Sequence, residues 1–177
     1  MEVMNKNWSL RSVEHIQNPE KYLQHAQKIL TGVNWYLGFG SALGFYRDND
    51  FIPQDTDIDI CIITDNNTPV NKIVLEFSEN YEYIRSVIEN GQQQSAFKTK
   101  DGFIIDLSFF RKDGDRLITI HEEGIYSDKI DVIGNTKLHQ TKYGLFPLPE
   151  KIEEYLVTRY GDWKTPKYGN PTSSIRV

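Results

Sequence analysis

The stretch that most constrains this chain is Asp55-Thr-Asp57-Ile-Asp59, which runs straight into the apolar Ile60-Cys61-Ile62-Ile63. Side chains alternate across a β-strand, so every second residue shares a face. Asp55, Asp57 and Asp59 therefore fall on one face, at the mouth of a strand whose later residues are buried. Carboxylates that close raise one another's pKa and cost stability unless a cation neutralises them. A hard divalent ion such as Mg2+ or Mn2+ suits such oxygens, and Mg2+ typically binds through one or two carboxylates plus substrate phosphates. The pattern predicts a metal site with Asp57 and Asp59 as ligands. Asp55 is either a third ligand or an acceptor for backbone N–H groups in the loop after Pro53.

Upstream, Trp35 to Leu37 reads as a strand and Gly38-Phe-Gly-Ser41 as a turn. Ala42 to Tyr46 reads as a short apolar helical piece ending at Arg47. Glycine lets a backbone approach a ligand closely, and exposed N–H groups at a helix start attract anions. Gly40 and Ser41 are expected to cradle a phosphate, with Ser41 adding its hydroxyl. Arg47 is either a bidentate partner for a phosphate oxygen or a surface residue, and Lys98 is a weaker candidate. A phosphate cradle and metal-binding carboxylates within about 25 residues of each other point to phosphoryl or nucleotidyl transfer.

A further carboxylate, Asp106, sits in the apolar run Phe103-Ile-Ile-Asp-Leu-Ser-Phe-Phe110. A lone buried carboxylate is expensive without a partner, and a metal on the neighbouring strand would supply one. Asp106 either completes the metal site or takes the proton of an acceptor hydroxyl as general base. Asp101, Asp113 and Asp115 lie beside glycines and read as turn formers. His121-Glu122-Glu123 lacks the second histidine of a zinc-protease motif.

These residues carry a family resemblance. Gly38-Phe-Gly-Ser-Ala-Leu-Gly-Phe-Tyr-Arg47, then Phe51-Ile-Pro53, then Asp55-Thr-Asp57-Ile-Asp59, resembles the central motif of the LicD/fukutin family. Ile105-Asp106-Leu107 resembles the strand bearing that family's last acidic residue. Pro149 to Trp163, ending Tyr160-Gly-Asp-Trp163, is similar to its closing helix. The resemblance implies a nucleotidyltransferase fold and a divalent metal on Asp57 and Asp59. It also implies a CDP-linked donor such as CDP-choline or CDP-ribitol, and transfer of its phosphoryl-alcohol to a hydroxyl of a glycan or glycolipid, releasing CMP. Gln54 stands where the family usually has an aromatic, and Thr56 where an acidic or polar residue is common. The long N-terminal stem and membrane anchor of the eukaryotic members have no counterpart, and a cytoplasmic enzyme is expected. Tyr160 and Trp163 either line the pocket or pack in the core, and core packing is the commoner role for such a pair.

The remaining chain predicts one α+β domain over residues 1–177, with an arm at 1–17 and a tail at 164–177. Asn18-Pro19 opens an amphipathic helix to about Thr31, with Tyr22, Leu23, Ala26, Ile29 and Leu30 on its inner stripe and His25 on the solvated side. Thr68-Pro69 opens a second helix, with Val70, Ile73, Val74 and Phe77 facing in. Tyr83 to Ile88 reads as a strand ended by Glu89-Asn90-Gly91. Two strands flank a two-residue turn at Asp101-Gly102. Arg116 to Ile120 and Ile130 to Ile133 read as short strands, and Pro149 opens a last helix that Gly161 stops. The fold class is α+β, a nucleotidyltransferase-like twisted mixed β-sheet with flanking helices.

The net charge of −5 excludes a general nucleic-acid binder, which needs a basic face. No apolar run reaches the roughly 18 residues of a membrane span, and no secretory signal is visible. The single cysteine, Cys61, lies in an apolar strand and is expected to be buried and inert. Two other functions stay open: an NTP-dependent nucleotidyltransferase releasing pyrophosphate, and a catalytically silent nucleotide- or glycan-binding module.

Overall fold

Apolar residues at three- and four-residue steps make helix α1 (Glu20–Ile29), which buries Tyr22, Leu23 and Ala26. Pro19 precedes it, as suits a residue without an N–H. The computed structural model describes residues 19–53, 55–89, 92–122 and 124–166. The predicted arm at 1–17, Asn18, Gln54, the break at 90–91, Glu123 and the tail from residue 167 onward lie outside those residues. His25 is not simply solvated. Its Nδ1 lies 2.5 Å from the Tyr81 hydroxyl, and the two rings meet edge to face.

Strand β1 (Trp35–Leu37) is fully buried and leads into helix α2 (Phe39–Arg47). The helix thus begins three residues before the expected Ala42, and Gly40 and Ser41 form its first turn rather than a separate loop. Strand β2 (Asp57–Thr64) follows, and then helix α3 (Val70–Asn80), with Ile73 and Phe77 inward. Strands β3 (Glu82–Glu89), β4 (Gln92–Lys98) and β5 (Ile104–Asp113) form a meander. Strands β6 (Arg116–His121) and β7 (Gly124–Lys129) extend it. The main sheet runs β1-β2-β5-β4-β3, with β6 on β5 and β7 on β6. It is mixed, because β2 and β5 are parallel while the other pairs are antiparallel.

Three expectations are corrected. The β4–β5 connection is not a two-residue turn. Thr99 N–H bonds the Phe103 carbonyl, Gly102 N–H bonds the Thr99 carbonyl, and Gly102 has φ +85. This is a three-residue loop whose last member is left-handed, a position glycine fills without strain. The β-branched run at Ile130 is not a strand but one helical turn, α4 (Ile130–Ile133). Ile130 N–H is taken by the Asp115 carbonyl and Gly134 N–H by the Ile130 carbonyl. These bonds override β propensity. Finally, Pro149 ends a strand rather than opening a helix. Strands β8 (Thr136–Thr141) and β9 (Gly144–Pro149) make a separate hairpin, and helix α5 (Ile152–Tyr160) starts three residues later. Gly161, at φ +63, stops α5 as expected.

Along β2 and β5 the sheet face opposite the aspartates is core, and Tyr36, Cys61 and Phe110 carry the core onto the aspartates' own face beyond them. Ile58, Ile60 and Ile62 of β2 and Ile105 and Leu107 of β5 have no exposed surface. Cys61 is buried on the other face, beneath Gly38. Among the described residues, no helix is long and apolar enough to cross a membrane.

The β1–α2 corner sets where the helix points. Gly38 N–H bonds the Asp59 carbonyl at 3.0 Å. A Cβ on Gly38 would overlap Cys61 Sγ and come within 3.3 Å of the Tyr155 hydroxyl. Gly38→Ala is expected to destabilise the fold by about 2–3 kcal/mol. The double variant with Cys61→Ala should be less destabilised than the two singles summed. Chemical denaturation of the four proteins checks this, and strict additivity would contradict the overlap.

Candidate functional site

Asp57 and Asp59 project from the start of β2, on the face opposite Ile58 and Ile60. β5 runs parallel beside β2 in a register that sets Asp59 directly against Asp106. One carboxylate oxygen from each of Asp57, Asp59 and Asp106 lies within 4.8 Å of the other two. All three residues are half-buried. The local sequence dictates this: alternation places the β2 pair, and the parallel register brings in the third.

Crowding shows in the acidities. Burial, and then the charges of Asp57 and Asp106, hold the Asp59 carboxyl well above the usual carboxylate range. Backbone N–H groups of Ser41 and Gly40 oppose that rise. Asp106 is pushed up to about 6 by burial and then by Asp57, with Arg85 pulling the other way. Asp55 lies outside the three-way cluster, yet burial, a hydrogen bond with Asp57 and the charges of Asp57 and Asp59 raise it strongly. Oxygen-only donors that repel one another in a half-buried site are the donor set a hard divalent cation requires. The residues present therefore fit Mg2+ or Mn2+.

Helix α2 closes the other side. Ser41 N–H points at Asp59 Oδ2, 3.3 Å away, and Asp59 N–H donates to Ser41 Oγ at 2.9 Å. The helix start thus faces an anion, as its dipole favours, but the anion is this chain's own Asp59. A Cβ on Gly40 would sit 3.0 Å from Asp55 Oδ2 and 3.5 Å from Asp59 Oδ2. Glycine stands there because two carboxylates close on the backbone. Phe39, just before, takes a left-handed φ of +41 and donates its N–H to the Tyr155 hydroxyl at 2.9 Å.

Of the residues expected from sequence, Asp55, Asp57, Asp59, Asp106, Gly40 and Ser41 come together. Arg47 does not. It lies seven residues beyond Gly40 along α2, about 10 Å of helix rise. Its guanidinium is bound to both Asp48 oxygens and the Trp163 carbonyl. Trp163 is buried against Tyr46, in the core role expected of it. Tyr160 borders the site instead: burial, and then the Asp59 charge, raise its hydroxyl well above the ordinary range. His121 is neutral, pushed down to about 4 by burial and then by Arg159 and Arg85, and its Nε2 lies 3.1 Å from Ser108 Oγ.

Sequence reasoning missed several neighbours. Gln94 is buried and donates to Asp106 Oδ1 at 3.4 Å. Arg85 lies 3.8 Å from the same oxygen and 3.0 Å from Glu122. Arg159 is buried, ion-paired to Asp128, with its guanidinium 4.1 Å from the Phe39 ring centre. Only the four-residue step from Tyr155 to Arg159 hinted that this arginine shares the inner face of α5.

The model of the LicD/FKTN/FKRP nucleotidyltransferase domain matches residues 32–148. That span holds every carboxylate of the site together with Gly40 and Ser41, and stops short of α5. An uncharacterized Caenorhabditis elegans protein is 27% identical over 77 residues, 42% of this chain and 20% of its own. The match spans about a fifth of that relative's length. Among solved structures, lincomycin-bound lincosamide antibiotic adenylyltransferase LnuA aligns with a TM-score of 0.54 at 15% identity. The alignment covers 80% of this chain and 85% of that one. The likeness establishes a nucleotidyltransferase fold.

The Asp106 shift has a sign that can be tested. Its folded pKa is raised, so its stabilising contribution is full below pH 3.8 and lost as pH rises through about 6. Asp106→Asn should therefore stabilise the metal-free protein at pH 7 by on the order of 2 kcal/mol and leave it near wild type at pH 4. Thermal denaturation in chelator at both pH values checks this. An equal difference at the two would contradict it.

Proposed function

The chain belongs to the LicD/FKTN/FKRP family, and on that premise we propose that it is a metal-dependent phosphotransferase. It moves a phosphoryl-alcohol, of the phosphocholine or alditol phosphate type, from a CDP-linked donor to a hydroxyl of a glycan or glycolipid. One observation carries the proposal: the register of β2 against β5 gathers Asp57, Asp59 and Asp106 within reach of a single ion. These three residues would hold Mg2+ or Mn2+. When bound, the cation supplies charge neutralisation for the donor diphosphate.

The chain's own groups supply the rest. The N–H groups of Gly40 and Ser41, at the start of α2, would take a phosphate oxygen in exchange for the Asp59 carboxylate that they meet. The acceptor hydroxyl loses its proton to Asp55 or Asp106, whose raised pKa values the cation's charge would lower to the ionised form that a base needs. Its oxygen bonds to the phosphorus bearing the alcohol, the bond from that phosphorus to the bridging oxygen breaks, and CMP leaves. Tyr160 helps exclude water from the rear of the site. Arg47 serves by fastening α2 to the segment after α5.

The likeness to an adenylyltransferase favours one rival, attack on the α-phosphate of an NTP with release of pyrophosphate. Incubating the protein with Mg2+ and either CDP-alcohols or NTPs separates the two. CMP release is expected from the former, and pyrophosphate release from NTPs would replace this proposal. No turnover with either, but retained nucleotide binding, would leave a silent binding module. Asp57→Asn and Asp59→Asn should each lower turnover at least about 1,000-fold with an unchanged circular dichroism spectrum. Full activity in either variant would remove the metal role.

A further inference from the structure

We infer that Arg85 is a second anion-binding group of this site, holding one phosphoryl group of a diphosphate ligand on the flank of the carboxylates away from α2. The inference rests on the metal-site reading above. It begins in the backbone of β3. Tyr83 pairs with Phe97, but Arg85 pairs with Ala96, so Ile84 is an extra residue in the ladder. Without that bulge Ile84 would stand opposite Ala96, and Arg85 would point to the other face. The bulge re-aims one side chain, as bulges near functional sites do.

Arg85 then ends a row across four strands. Arg85 pairs with Ala96, Ala96 with Asp106, and Asp106 with Asp59. Only a methyl group stands between Arg85 and Asp106, and Ala96 is fully buried. The arginine stem can lie across it, which brings Nη2 to 3.8 Å from Asp106 Oδ1. That separation is an ion-pair distance, too long for a hydrogen bond. Glu122 pairs with the guanidinium from the β6–β7 connection, its carboxylate 3.0 Å from Nε but with no hydrogen bond formed there. Glu122 is exposed and Arg85 is 30% exposed, so a ligand can exchange for this partner. Lys98 shares the face one row along, across Ile104 from Asp57.

The carboxylates are therefore flanked on both sides by groups that favour anions. Backbone N–H groups meet Asp59 on one flank, and a guanidinium meets Asp106 on the other. Asp59 and Asp106 themselves stand one strand spacing apart, roughly 4.8 Å, and the two flanks lie beyond them on either side. A single phosphoryl group can engage one of them, whereas two linked phosphoryl groups engage both. A planar guanidinium suits phosphate oxygens bidentately, which lysine cannot reproduce.

Calorimetric titration of the full chain with CDP and with CMP, at constant free Mg2+, tests this. Wild type should bind CDP at least about 10-fold tighter than CMP. Arg85→Gln should lose that preference and keep its CMP affinity, and Arg85→Lys should fall between. Glu122→Gln, which removes the competing carboxylate, should tighten CDP about two- to threefold. Mg2+ alone should bind Arg85→Gln no more weakly than wild type, because a positive neighbour of Asp106 is gone. An unchanged CDP-to-CMP ratio in Arg85→Gln would make Arg85 a mere counter-ion of Asp106 and overturn this inference alone. Wild type that binds neither Mg2+ nor nucleotide would overturn the metal-site reading and this inference with it.

Discussion

Asp59 and Asp106 face each other across two parallel strands, and Asp57 joins them from one residue pair away. Three carboxylates held that close, partly out of water, oppose folding. The neighbourhood is arranged around that repulsion. Helix α2 offers backbone N–H groups to Asp59, Gln94 donates to Asp106, and Arg85 stands off the same oxygen. None of these cancels three charges, and the raised acidities of Asp59 and Asp106 record what is left over. A divalent cation would remove the remainder, so the same geometry that weakens the empty fold prepares it to bind metal. Such local conflict is expected where a chain is shaped for chemistry rather than for stability.

The helix start that meets Asp59 is held from behind by charge and aromatic surface. Phe39 sits in a left-handed backbone conformation, which costs a non-glycine residue roughly 1–2 kcal/mol. Tyr155 accepts its N–H, and the Arg159 guanidinium lies 4.1 Å from its ring centre and 4.8 Å from that of Tyr155. Asp128 pairs with Arg159 in the same buried layer. A buried ion pair is weak evidence for stability by itself. Here its position ties α5 and β7 to the residue that aims the first turn of α2. Tyr155 and Arg159, in α5 beyond the matched domain span, thus contribute to the site through Phe39.

Much of this site was legible from alternation alone. Asp57 and Asp59 follow from a period of two, the burial of Cys61 from its apolar run, and Asp106 stood out because a carboxylate in an apolar strand needs a partner. What was lost depended on pairing between distant segments. A bulge leaves no local mark: Tyr83 to Ile88 has the same strand propensity whether or not Ile84 is extra, so the face taken by Arg85 was invisible. Arg47 reads from sequence as either a phosphate partner or a surface residue because it follows the glycine-serine turn closely, but helix rise carries it away from the site. Arg159 carries no sequence signal beyond its four-residue step from Tyr155, and packing against Phe39 and Tyr155 accounts for its burial. Ile130 to Ile133 was misread for a related reason: β-branched residues favour strands, but here the distant Asp115 carbonyl takes the Ile130 N–H and the run closes as one helical turn.

The central claim is that Asp57, Asp59 and Asp106 together hold one divalent ion. Titration with Mn2+ followed by electron paramagnetic resonance measures it directly, because bound and free Mn2+ give distinct signals. One tightly bound ion per chain is expected, with affinity lost in both Asp59→Asn and Asp106→Asn although these residues lie 47 positions apart in sequence. Absence of saturable binding, or binding that Asp106→Asn leaves untouched, would contradict it.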